Sequence, residues 1–339
     1  MIHVVYGQFS LIRGFPIYLQ ERGPLMSFFP IFTKMVELFL ILIIGYIAAK
    51  AGIINRDAKQ AISKLILYVT MPCTILSSVI NSTTLPGTSE IIYVLGIAFL
   101  SYVILFILAL LTPKVLGLKE SQVGVAFFAV MFGNVGFIGF PVTEAIYGRD
   151  AVFYASIFNM PFNLLAYSLG VYMLRKHSGN DDSGKIDLSF KKLFLTPALI
   201  SSVVSIILAL TKLSVPGIIG EPIGLVSNIT TPGALIIIGA TLAEMPFLQM
   251  FQDLKAHLLS FLCIVVSPAV TYLCFTPFTS GMPLKIAVLM AAMPVATAGT
   301  MLCVEHQCDE EFMAKGTFLT TLFTIPTIPC IAMLMEILP

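Results

Sequence analysis

The 339-residue chain is 58% hydrophobic and only 11% charged, with a mean hydropathy of +0.96. Soluble domains carry about 25% charged residues, so this composition belongs in a membrane. Nineteen Lys+Arg against 18 Asp+Glu give a formal net charge of +1, which points to neither nucleic acid nor a large acidic partner.

In chain order, residues 1–27 carry Arg13, Glu21 and Arg22 and hold no apolar run long enough for a signal-peptide core. They read as an unordered extension, with Met26 as an alternative start directly before the first strong apolar segment. Apolar segments follow at about 28–49, 61–80, 91–111, 122–147 and 151–174, then a polar linker at 175–192. Five more lie at about 193–211, 222–243, 256–276, 284–304 and 312–337. At roughly 20 residues per spanning helix these are ten candidate spans, with no separate soluble domain left over. The expected fold is an all-α polytopic membrane protein with a first five-helix unit over 28–174 and a second over 193–339.

Lys and Arg alternate between loops. Lys50, Arg56, Lys59 and Lys64 follow the first span, Lys114 and Lys119 the third, and Arg175, Lys176, Lys185, Lys191 and Lys192 the fifth. Positive loops stay cytoplasmic, so the 175–192 linker is expected inside and both termini outside, in a multi-pass protein of the plasma membrane. The two halves also match at one spacing. Val69-Thr-Met-Pro-Cys parallels Ile229-Thr-Thr-Pro-Gly, and Pro232 minus Pro72 is 160. The same shift carries Ser121 to Gly281 and Leu174 to Leu334. With an odd number of spans per half, such repeats are inverted in the membrane, an arrangement that places a transporter's site at the midplane.

Chemistry concentrates where helices should fail. Phe132-Gly133-Asn134-Val135-Gly136-Phe137-Ile138-Gly139-Phe140-Pro141 sets three glycines, an amide and a proline inside an apolar run. Gly costs about 1 kcal/mol and Pro about 3 kcal/mol relative to Ala in a helix interior. Met293-Pro294-Val295-Ala296-Thr297-Ala298-Gly299-Thr300 lies at the corresponding depth of the ninth segment. Irregular backbone at membrane depth is tolerated only inside protein or beside a wet cavity. Two broken helices would bring unpaired amides and positive helix ends together, able to hold a carboxylate without a buried Arg or Lys. Gly139 and Gly299 would let backbone approach such a ligand.

The strings Asn134-x-x-x-x-Gly139-x-Pro141, Ala145-x-Tyr147-Gly148, the proline-broken second segment and Met293-Pro294 resemble the auxin efflux carrier family. That family includes plant auxin exporters and bacterial carriers of small organic acids, and the resemblance covers essentially Phe28 to Leu338. It implies ten helices in two inverted five-helix repeats, crossing broken helices 4 and 9 as in sodium/proton antiporters and bile-acid symporters, and an elevator-like movement. Asn134 and Pro141 carry over directly to the crossover, and Pro294 opens its counterpart. Gly299 stands where plant members have a second proline, a departure that weakens any claim to auxin itself. The candidate substrate-binding set is therefore Asn134, Gly139, Pro141, Pro294, Thr297 and Gly299.

Other intramembrane polar residues each have two readings. Glu144 is either a coupling or substrate-contacting carboxylate or a boundary residue beside Arg149 and Asp150. Asn159 and Asn163, four residues apart on one helix face, serve interhelical hydrogen bonding or line a cavity. Lys34 and Glu37 read as an interfacial pair, and Glu244, Glu305, His257 and His306 as solvated or capping groups at span ends. Cys73, Cys263, Cys274, Cys303, Cys308 and Cys330 show no metal-ligand spacing and read as packed free thiols, so no metal and no cofactor are expected. The leading function is a secondary carrier of a small organic anion, in contact with membrane lipid and compatible with a homodimer. Alternatives are a sodium- or proton-coupled symporter or exchanger of similar architecture, and a membrane-embedded enzyme, which the lack of HExxH or a mid-span Asp disfavours.

Overall fold

The computed structural model of the chain describes residues 25–80, 87–178, 197–244 and 247–337. The extension up to residue 24 and the linker from 179 to 196 lie outside the described residues, as does the Lys34 side chain. In hydrocarbon no water satisfies a backbone N–H or C=O, so apolar runs resolve into helices, which pair these groups internally. The described residues form helices and no strand. In order they are α1 Leu25–Lys50, α2 Arg56–Ile80, α3 Thr88–Leu116, α4 Glu120–Met131, α5 Val135–Tyr147, α6 Arg149–Lys176, α7 Pro197–Thr211 and α8 Gly217–Glu244. After a single turn, α9 Phe247–Met250, come α10 Leu254–Phe275, α11 Gly281–Ala291, α12 Ala298–Glu305 and α13 Glu310–Ile337. Helix α1 opens at Leu25, three residues ahead of the boundary expected at Phe28.

Among the described residues, six helices (α2, α3, α6, α8, α10 and α13) are long and apolar enough to cross a membrane, at 22 to 29 residues each. At 1.5 Å per residue they exceed the roughly 30 Å hydrocarbon thickness. Helices α4 and α11 are different. Each is only 12 or 11 residues long, and every residue is buried from Val125 to Met131 and from Ile286 to Ala291. A helix apolar on all sides belongs in a core. By contrast α3 exposes Ile92, Phe99, Val103, Ile107 and Leu111, the stripe a lipid-facing helix needs.

Prolines shape the long helices without ending them. Single π-helical turns occupy Ile66–Thr70 in α2, Val135–Gly139 in α5 and Leu262–Val266 in α10, each ending two residues before a proline, Pro72, Pro141 and Pro268. A proline ring clashes with the carbonyl four residues back and offers no N–H, and a wider turn relieves both problems. The fourth such turn, Ala166–Gly170 in α6, follows Pro161 instead. Helices α1 and α8 touch backbone to backbone: a Cβ on Gly45 would lie 2.2 Å from the Ile236 oxygen, and one on Gly239 only 1.9 Å from the Leu42 oxygen. Small residues at such crossings replace the hydrophobic drive that lipid cannot supply. The α8 C-terminus carries Glu244, which forms an ion pair with Lys59 of α2 where a simply solvated helix end was expected.

Candidate functional site

The two sequence-predicted breaks exist and meet. Helix α4 stops when Phe132 leaves helical space at φ −123°, ψ 89°, although its N–H still reaches Phe128 at 2.9 Å. Asn134 then caps α5: its Oδ1 accepts from the Phe137 N–H at 3.2 Å, and its own carbonyl accepts from Gly139 at 2.9 Å. Helix α11 ends at Ala291, and α12 begins after the Ala296 carbonyl takes the Gly299 N–H at 2.9 Å. Between these ends the two breaks run antiparallel as a single bridge, Gly133 opposite Val295. The Asn134 N–H donates to the Pro294 carbonyl at 2.6 Å and the Ala296 N–H to the Phe132 carbonyl at 3.0 Å.

This arrangement narrows one expectation. Amides freed by the breaks were to face a carboxylate, yet those of Asn134 and Ala296 are spent on the opposite break, and that of Val295 on a side chain of α13. The reason is burial: a backbone donor at this depth costs too much to leave waiting for a ligand. A side chain also stands ready there. Asn134 is 4% exposed, and its Nδ2 has no hydrogen-bond partner.

The other candidates divide. Pro294 is in direct contact with Asn134, and Pro141 is buried two residues into the α-helical part of α5. Gly139 and Gly299 do not border open space in this conformation. A Cβ on Gly139 would sit 3.3 Å from Met290 Sδ, and one on Gly299 only 2.7 Å from the Phe128 ring and 3.1 Å from Met313 Cε. Thr297 is half-buried, with its carbonyl accepting from the Thr300 hydroxyl at 2.7 Å. Asn159 and Asn163 are both buried, and the Asn163 amide donates to the Asn159 carbonyl at 2.9 Å within α6. Glu144 stands apart from the crossing in a polar cluster. It accepts from Arg149 Nε and from the Thr231 hydroxyl of α8, both at 3.2 Å, while Arg149 Nη2 donates to Asn228 Oδ1 at 2.5 Å.

Sequence reasoning missed Met71, whose Cε lies 3.3 Å from where a Gly136 Cβ would be, and Met290 beneath Gly133 and Gly139. Apolar contacts carry no local signal. A signal did exist in α13, where Thr317, Thr320, Thr321, Thr324 and Thr327 stud an otherwise apolar span. All six cysteines are free thiols. In the turn between α12 and α13 the Cys308 thiol is held below its ordinary range by a hydrogen bond with Cys303, against the opposing effect of burial. His257 spends its Nε2 on the Phe251 carbonyl at 3.0 Å.

Residues 30–332 match the profile described as Membrane transport protein. The chain belongs to that family, the one to which the auxin efflux carriers belong. It is 25% identical over 302 residues to an uncharacterized transporter of Methanocaldococcus jannaschii, covering 87% of this chain and 96% of the relative. A second uncharacterized transporter, from Methanothermobacter thermautotrophicus, is 24% identical over 296 residues, covering 87% and 95%. The uncharacterized transporter YfdV of Escherichia coli is 22% identical over 282 residues, covering 79% and 86%. The protein is thus a multi-pass membrane transporter.

Proposed function

We propose that this transporter is a secondary carrier of a small organic anion, a carboxylate of malate, malonate or auxin-like type, bound where the two breaks cross. The observation that carries this reading is the Asn134 amide: buried, unpartnered and donor-only at Nδ2, at the place where two interrupted helices meet. A buried donor without an acceptor is unfavourable by about 1 to 3 kcal/mol, an imbalance that a carboxylate oxygen would remove. Glycines and prolines keep the surrounding backbone irregular, and among the described residues no Lys or Arg is buried.

The same reading takes the chain as ten spans in two inverted five-helix repeats, with α4–α5 and α11–α12 as broken spans and an elevator-like shift between the halves. Several correspondences support it. The 160-residue shift carries the end of α4, Met131, onto the end of α11, Ala291, and Gly139 onto Gly299. It also carries Asn134 onto Pro294, the residue to which Asn134 is hydrogen-bonded. The bridge has a local two-fold of its own that takes Phe132 onto Pro294 and Asn134 onto Ala296 and so exchanges its two bonds, a shift of 162 within two residues of the 160. On this reading the linker 175–192 is cytoplasmic in a plasma-membrane protein.

Thermal-shift titration of the purified protein against mono- and dicarboxylates tests the substrate class. A ligand bound only by the folded state stabilises it by about 2.7 kcal/mol at a hundred times its Kd. Stabilisation by amino acids or bile acids, with none by carboxylates, would reject the class.

A further inference from the structure

At the position matching Asn134 the second break has no polar side chain. Where the first break carries Asn134, the second carries Pro294, without N–H or polar group, and its neighbouring Pro294 carbonyl and Ala296 amide are committed across the crossing. These two bonds flank the Gly133–Val295 pair, and in an antiparallel ladder a pair so flanked points its own N–H and C=O groups away from the partner. Val295 therefore presents its N–H to the opposite side. There Thr320 of α13 receives it. The fully buried Thr320 Oγ1 accepts from the Val295 N–H at 3.1 Å and donates to the Gly316 carbonyl one turn earlier at 2.7 Å.

Neighbouring hydroxyls on α13 behave differently. Thr321, Thr324 and Thr327 each return a hydrogen bond to their own helix, to Thr317, Thr321 and Phe323, and among the described residues none of the three accepts from another element. The position 160 residues before Thr320 is Met160 in α6, so the matching position carries no hydroxyl.

We propose that Thr320 is the positioning residue of the second break. Its hydroxyl fixes Val295 against α13, and through Val295 it fixes the Pro294 carbonyl and Ala296 amide that keep Asn134 and Phe132 in register. Binding at the crossing then depends on a residue that touches no substrate. The single lone pair that Thr320 turns toward Val295 is what distinguishes it from the other threonines of the helix.

The test is hydrogen–deuterium exchange on the full chain in lipid nanodiscs, read on peptides that span residues 292–299. Thr320→Val should speed exchange there by roughly five- to tenfold, the local opening expected when one buried hydrogen bond is lost. Thr320→Ser, which keeps the hydroxyl, should restore the wild-type rate, and Thr327→Val should leave the segment unchanged. Wild-type exchange in Thr320→Val, or equal acceleration in Thr320→Ser or Thr327→Val, overturns the proposal. Should Thr320→Val not fold, Thr320→Ala against Thr320→Ser carries the same comparison. No substrate enters the measurement, so its failure is separate from any failure of the carboxylate reading.

Discussion

The two breaks sit 160 residues apart and bond to each other, but they are maintained by opposite means. The first is self-sufficient: Asn134 caps the helix that follows with its oxygen and has its nitrogen to spare. The second is opened by Pro294 and borrows its polar support from Thr320 on another helix. Similar backbone on both sides thus leaves a buried, unpartnered side-chain amide on the first side. A pair of matched helix breaks gives a place for a ligand; a single amide gives it a chemistry.

Removing that amide should have the largest effect. Asn134→Ala should weaken binding of a stabilising carboxylate by about 1 to 3 kcal/mol and lower stability by about 0.5 to 2 kcal/mol through the lost cap. Asn134→Asp separates the two, because a carboxylate still accepts the Phe137 N–H but offers no donor. Carboxylate thermal shifts measured on both variants check this. If both bind like the wild-type protein, the crossing is structural and the asymmetry has no bearing on the ligand.

Packing behind the breaks should show the next largest difference. Gly139 and Gly299 are separated by the same 160 residues, yet a methyl at Gly299 meets the Phe128 ring at 2.7 Å while one at Gly139 meets the thioether of Met290 at 3.3 Å. Phe128 is fully buried, tilted against the Phe132 ring with centroids 4.9 Å apart, and packed against Gly170, so it has nowhere to move. Methionine yields easily. Gly299→Ala should therefore destabilise by about 1 to 3 kcal/mol and Gly139→Ala by less than about 1 kcal/mol, as read from unfolding in detergent. Equal losses would mean that both glycines serve the backbone in the same way.

How much of this was legible in the sequence follows from the range of each interaction. The breaks were legible because Gly133, Asn134, Pro141 and Pro294 act on their own backbone, and local rules describe them. The six helices long enough to cross were legible from apolar length alone, though hydropathy did not separate α4 and α11, largely buried, from α3, whose apolar stripe is exposed. The fate of the freed amides was not legible: pairing Asn134 with Pro294, or Val295 with Thr320, requires knowing which segments meet 25 to 160 residues apart. Thr320 left a trace as one of several threonines in an apolar helix, but nothing local set it apart from Thr324. Met71 and Met290 left none.

The smallest expected effect concerns the helix that leaves the first break. Helix α5 runs on to Glu144, which reaches α8 through Thr231 and, by way of Arg149, Asn228; the corresponding helix after the second break is held by Phe128 and Met313 packing at Gly299. Glu144, read as either a coupling carboxylate or a boundary residue beside Arg149, is ion-paired with Arg149. The Glu144 and Arg149 side chains are 26% and 36% exposed, and pairs at that exposure contribute about 0 to 1 kcal/mol after solvent screening. Glu144→Gln should therefore shift unfolding by less than about 1 kcal/mol, and high salt should erase most of the difference, because a Debye length of about 3 Å at 1 M screens such a pair. Uptake of a stabilising carboxylate into proteoliposomes should persist, since the glutamine oxygen still accepts from Thr231. Loss of uptake with unchanged unfolding would make Glu144 a coupling carboxylate. The functional asymmetry between the breaks would then extend along α5, from the amide that opens it to the acid near its end.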